Sequence, residues 1–156
     1  DSTYDSYVFK FYNIHPATDN VQFLFNMSSD SGSNYNVTKT TTYFLAEHNA
    51  TGGSANLSYQ SAKDLAQSTD FQKLMTDLGN AADENLSGYL TIYNPSSTTF
   101  VKNFMSRTNA QAYSATNISF DNYIAGYGNT TSAVNAVQFK MSSGTFDGVI
   151  KLYGVS

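Results

Sequence analysis

The chain has no cysteine, no tryptophan, only two prolines and few charges. Without cysteine there is no disulfide and no thiolate metal site. Asp, Glu, Lys and Arg make up 13% of the 156 residues, about half the share usual in a soluble domain. The eight basic residues are scattered and outnumbered by twelve acidic ones, for a net charge of −4. Nucleic-acid binders neutralise phosphates with clustered Lys and Arg, so no nucleic-acid partner is expected. No apolar run approaches the roughly 20 residues that cross a bilayer, so no membrane insertion is expected. There is no secretory signal pattern. The chain begins at Asp1 rather than Met, as a processed or partial chain would.

Asn, Ser and Thr take the place of the missing charge, together with twelve Tyr and eleven Phe. Hydroxyl and amide side chains suit strands and turns better than helices. Seven Asn-x-Ser/Thr triplets, Asn36-Val37-Thr38 and Asn129-Thr130-Thr131 among them, are what such a composition produces by coincidence. At this length the chain is one domain, residues 1–156, able to remove roughly two-thirds of its unfolded surface from water.

Alternation of apolar and polar residues recurs along the chain. Strands are predicted over 7–14, 21–27, 35–48, 57–60, 88–93, 99–108 and 112–124. Val21, Phe23, Phe25 and Met27 fall on one face, and Gln22, Leu24 and Asn26 on the other. Residues 109–111 read as a turn, and Gly126-Tyr127-Gly128-Asn129 as a flexible loop. Two last alternating runs, 134–141 and 145–154, are joined by Ser142-Ser143-Gly144 and predict a closing β-hairpin. Val-Gln-Phe followed by Met-Ser-Ser occurs at both ends of the chain, and Gly88 through Asn94 echoes Gly148 through Gly154, an echo that strand convergence explains without duplication. Residues 61–88 are ambiguous. Phe71, Leu74, Met75 and Leu78 have helical spacing, with Ser68 or Thr69 as cap and Gly79 as stop, yet strands flank them. Many short strands, polar turns and no βαβ alternation give an all-β antiparallel sandwich, jelly-roll-like, of about eight to nine strands.

The residue types that carry catalysis are sparse. His15 precedes Pro16 in a turn; His48 follows Glu47 at a strand end that reads as solvated. Asp83 and Glu84 are adjacent in a polar segment and read as a solvated turn rather than two carboxylates facing across a cleft. Asp30-Ser31-Gly32-Ser33-Asn34 is rich in oxygen but lacks the twelve-residue calcium-loop pattern. No Gly-x-Ser-x-Gly elbow is present. The expectation is a protein that is not an enzyme, with no catalytic residue, no metal and no cofactor.

The aromatics carry more information. Most Phe fall on alternating positions and read as core. Tyr buries its ring while its hydroxyl reaches a polar partner, so exposed Tyr are candidates for contact. Tyr35 and Tyr59 lie at strand edges, and Tyr123 and Tyr127 flank Gly126 in the predicted loop. They suit a neighbouring subunit, as interface aromatics do, or a sugar.

Several segments, in order and spacing, resemble those of bacteriophage virion β-sandwich proteins of the marine and cyanophage type. They are Tyr4-Asp5-Ser6-Tyr7, Pro16 through Val21, Ser28 through Ser33, Leu78-Gly79-Asn80-Ala81-Ala82, Ser87 through Ser97, and Gly148 through Val155. The resemblance implies a jelly-roll-like domain on the virion surface, in head or tail fibres or capsid decorations, often trimeric and without catalytic residues. The implied partners are sister copies in a homotrimer, other virion proteins and a host-surface glycan. It also implies a strand upstream of Tyr4, where only three residues stand here. It favours an extended segment over 71–78.

Overall fold

The computed structural model describes residues 2–114 and 117–156. Ten strands and no helix make up the described residues: β1 (Ser6–Pro16), β2 (Val21–Ser28), β3 (Lys39–Asn49), β4 (Ala55–Tyr59), β5 (Gln72–Leu78), β6 (Leu86–Tyr93), β7 (Lys102–Ala112), β8 (Ile118–Gly128), β9 (Ala136–Met141) and β10 (Phe146–Val155). They form two antiparallel sheets. Seven strands lie in the order β10-β1-β6-β7-β8-β3-β4, and three in the order β5-β2-β9. The pairing is nested as in a jelly roll: the first strand pairs with the last, and the second with the last but one.

The closing segment departs from expectation. β9 joins β2 in the small sheet and β10 joins β1 in the large one. The turn at residues 142–145 therefore crosses between layers and closes no hairpin. Gly144 adopts φ 71° there, a conformation that glycine reaches without steric cost.

The ambiguous segment is a strand, and its helical spacing has a local cause. The β2–β5 pairing slips twice, between Val21 and Phe23 and between Phe23 and Leu24. A bulge places consecutive residues on the same side, so Leu74 and Met75 are both fully buried. This strand also raises the count to ten.

The core lies between the layers. Phe23, Phe25 and Met27 of β2 meet Phe11, Leu90, Phe104 and Ile124 of the large sheet, all buried. Edge-to-face ring pairs run through it, Phe11–Phe23 at 5.3 Å and Phe25–Phe104 at 5.2 Å among them, geometries that the ring quadrupole favours.

Polar groups are buried in the same layer, each with partners. The Tyr43 hydroxyl donates to Asn122 Oδ1 at 2.7 Å, and Thr108 donates to the Leu74 carbonyl at 2.6 Å. Two lysines are fully buried, Lys39 on β3 and Lys102 on β7. Both stand opposite Gly128 of β8. Lys39 Nζ donates to Asn26 Oδ1 at 2.6 Å and to the Val37 carbonyl at 2.7 Å. Lys102 Nζ donates to the Phe100 carbonyl at 2.6 Å and lies 3.3 Å from that of Thr130.

The seven-stranded sheet is wider than the three-stranded one. Its β10 margin overhangs, and Leu152, on the inward side, stays 56% exposed. Beneath the overhang lies a hollow of about 390 Å³ lined by Tyr7, Phe9, Ile92, Val134, Val137 and Leu152.

Candidate functional site

The outward face of the large sheet is the most distinctive surface of the molecule. β7 alternates strictly: Lys102, Phe104, Ser106, Thr108 and Ala110 are buried, while Asn103, Met105, Arg107 and Asn109 are exposed. The segment 109–111, expected as a turn, continues this strand to Ala112. Asn109 and Gln111 stand on the outward side, and their pairing with β8 runs on without a break.

Register aligns one side chain from every strand into a single row across the sheet. Lys151 opposes Lys10, Lys10 opposes Tyr89, and Tyr89 opposes Arg107. Arg107 opposes Tyr123, Tyr123 opposes Phe44, and Phe44 opposes Tyr59. The centre of this row is tightly built. The Phe44 and Tyr123 rings stack at 4.7 Å with planes 3° apart. The Arg107 guanidinium sits 4.7 Å from the Tyr123 centroid on β7's side. Arg107 also grips Asp121 with two hydrogen bonds, Nε to Oδ1 at 3.0 Å and Nη2 to Oδ2 at 2.7 Å. The Tyr123 hydroxyl donates to the same Oδ2 at 3.0 Å. Hydrogen bonding to Arg107 holds the Asp121 carboxyl below the usual range and raises the guanidinium, so both stay charged at every ordinary pH.

At the far end of the row Lys10 and Lys151 are directly opposite, a costly like-charge pair in an antiparallel ladder. Each leans diagonally over a ring instead: Lys10 lies 5.3 Å from Tyr153 and Lys151 lies 5.4 Å from Tyr12.

The row divides the face. On one side, Tyr153, Val8, Thr91, Met105 and Ala125 succeed one another in register. This half is apolar, with Val155 also exposed on β10, while Val149 and Tyr12 lie across the row. On the other side, Ser87, Asn109 and Asp121 lie in register, followed by Gln111, Ser119 and His48. Two adjoining depressions, of about 410 and 450 Å³, share Asn109 in this polar half.

The structure separates the four tyrosines proposed from sequence. Tyr123 and Tyr127 are not in a loop; both belong to β8, which runs through Gly128. Gly126 serves close strand approach, since a Cβ there would come within 2.6 Å of the Thr40 carbonyl and 3.0 Å of Thr41 Cα. Tyr127 faces outward between Thr40 and Asn103, its hydroxyl 3.3 Å from Gln67 Nε2. Tyr59 ends the edge strand β4 and donates its hydroxyl to Asp64, a bond that raises the phenol's pKa. Tyr35 precedes β3 and stands apart. Its carbonyl accepts Asn26 Nδ2 at 2.6 Å, and its hydroxyl lies 2.9 Å from where a Cβ on Gly32 would be.

Sequence reasoning missed Phe44, Tyr89 and Arg107. Each lies in a segment read as a strand, but only the register between distant strands shows that they meet.

The other candidates have local duties. Asp30 accepts Ser28 Oγ at 2.7 Å and Asn34 Nδ2 at 2.8 Å, which with the Asn34 amide hold its pKa at about 2. Its loop is closed on itself. Glu84, expected in a solvated turn, is buried and accepts the Ala81 amide at 3.0 Å. Asp83 accepts Gln111 Nε2 at 2.8 Å. His15 Nε2 is 3.1 Å from the Ala81 carbonyl. Among the described residues no three His, Cys, Asp or Glu gather as a metal site. No helix there is long and apolar enough to cross a membrane.

No family model, curated protein or solved structure matches the chain.

Proposed function

We propose that the chain is a non-enzymatic structural and adhesive domain of a bacteriophage virion surface, from a head or tail fibre or a capsid decoration, that works as a homotrimer among other virion proteins. The observation that carries this reading is the divided outer face. One flank exposes Tyr153 and Val155 on β10, Tyr93 on β6 and Met105 on β7. Exposed apolar patches of this extent on a soluble domain mark contact surfaces. β10 is also an unpaired edge of ten residues carrying one lysine and no proline, with little of the protection that edge strands usually have. A sister copy seated there would cover the flank and the overhanging Leu152. The low charge and abundant amides of the remaining surface suit a particle coat, which must stay soluble without strong electrostatic steering. The virion assignment rests on the sequence resemblance, which also supplies the threefold expectation. Native mass spectrometry tests the assembly: the expected species has three times the 17.0 kDa mass of the chain, and a monomer at every concentration would contradict it.

A second reading, a carbohydrate-binding module acting as a receptor-binding tip, is favoured by the polar half of the same face. Its amides, hydroxyls and one ion pair are held in fixed positions, as sugar recognition requires.

A further inference from the structure

We infer that the trough along the outward side of β7, from Tyr89 and Arg107 to Gln111 and His48, is a binding site for a neutral oligosaccharide. The inference rests on the adhesive reading and gives it a place and a ligand class.

The trough is made of two open, shallow depressions that are both lined by Asn109. Its chemistry is that of a diol reader. Asp121 accepts two bonds from Arg107 and one from Tyr123, while an ionised carboxylate offers about four acceptor positions. Arg107 spends Nε and one direction of Nη2 on Asp121 and remains half exposed, so further guanidinium protons face outward. An acceptor and a donor held side by side match two adjacent sugar hydroxyls, one donating and one accepting. Asn109 extends the pattern. Its Nδ2 is anchored on the Phe120 carbonyl at 2.8 Å, which fixes its orientation and leaves its carbonyl oxygen to accept. Exposed His48, with Gln111 and Ser119 opposite each other in register, continues the polar lining. Tyr89, 43% exposed beside Arg107, supplies an apolar wall for the C–H face of a pyranose.

The same geometry excludes the Tyr123 ring as the sugar platform. Tyr123 has Phe44 on one ring face and Arg107 on the other, so only its edge reaches solvent. Charge favours a neutral ligand: Arg107 is already neutralised by Asp121 within the trough, so no unmatched cation is left there for the carboxylate of a uronic or sialic acid. Preorganisation is high, since ion pair, ring stack and amide anchors leave few rotamers to freeze on binding.

The test is a titration of the ¹⁵N-labelled full chain with neutral maltohexaose, chitohexaose and mannohexaose, and with acidic oligogalacturonate. A neutral sugar is expected to shift the amide signals of Tyr89, Arg107, Asn109 and Asp121, with oligogalacturonate silent. Arg107→Lys, which keeps the charge but loses the fork, and Asn109→Ala should each weaken binding by about tenfold or more; Tyr127→Ala should leave it unchanged. If a sugar binds and these variants do not weaken it, the trough assignment is overturned while the adhesive reading stands. If no neutral sugar binds at millimolar concentration, the inference and the carbohydrate reading both fall, and the native mass still decides the assembly separately.

Discussion

Lys39 shows what burial does to one charge. Its ammonium is shut away from water with only neutral oxygens as partners, and burial lowers its pKa from 10.5 to about 8. Below pH 8 the folded chain carries the full cost of that buried charge. Between about 8 and 10.5 the unfolded chain binds a proton that the folded one has released, so stability rises with pH. Over pH 8 to 9.5 the gain is about 2 kcal/mol, measurable as a rise in the urea midpoint. Lys39→Met should reduce this slope to the part left by Lys63 and Lys102, whose pKa values burial also lowers, while keeping the fold, because Asn26 Oδ1 retains the Met27 amide. Above pH 10 Tyr43 acts in the opposite sense, since burial raises its phenol. Arg107 is a contrasting case. Its side chain is half exposed where it pairs with the less exposed Asp121, and surface pairs contribute about 0–1 kcal/mol. Arg107→Ala should therefore cost less than about 1 kcal/mol in urea unfolding, which makes it a usable probe of binding.

At the scale of elements, strands were readable wherever alternation was clean, as over residues 21–27 and 88–93. Failures came where composition and geometry part. Gly126 and Gly128 suggested a loop, yet Gly126 sits where Thr40 and Thr41 leave no space for a Cβ. Gly126→Ala should push β3 from β8 and cost about 1–3 kcal/mol, read as a lower urea midpoint; an unchanged midpoint would remove this account of the glycine. Asn109 and Gln111 suggested a turn because amides are common in turns, yet they stand on the outward side of a regular strand. Helical spacing over 71–78 arose from a bulge, which needs a partner strand and so leaves no signature in its own segment. Most of the candidate site was hidden for a similar reason. Tyr123 was singled out as a loop tyrosine, whereas Arg107, Phe44 and Tyr89 are brought to it by strand pairing across long sequence separations.

For the whole molecule, the two unequal sheets determine what is exposed. Three strands cannot cover seven, so the β10 margin is left apolar on both sides, with Leu152 inward and Tyr153 and Val155 outward. The polar trough lies across the cation–aromatic row from Tyr153 and Val155, so one face can hold sister copies and still present a ligand site. The account depends on the β10 flank being covered by other copies of the chain. Sedimentation equilibrium on the wild type beside a Leu152→Lys, Val155→Lys double variant tests this most directly. The expected result is a wild-type trimer, and a variant that sediments as a monomer with an unchanged β-type circular dichroism spectrum. A wild-type monomer at high micromolar concentration, or a variant that still assembles, would contradict it.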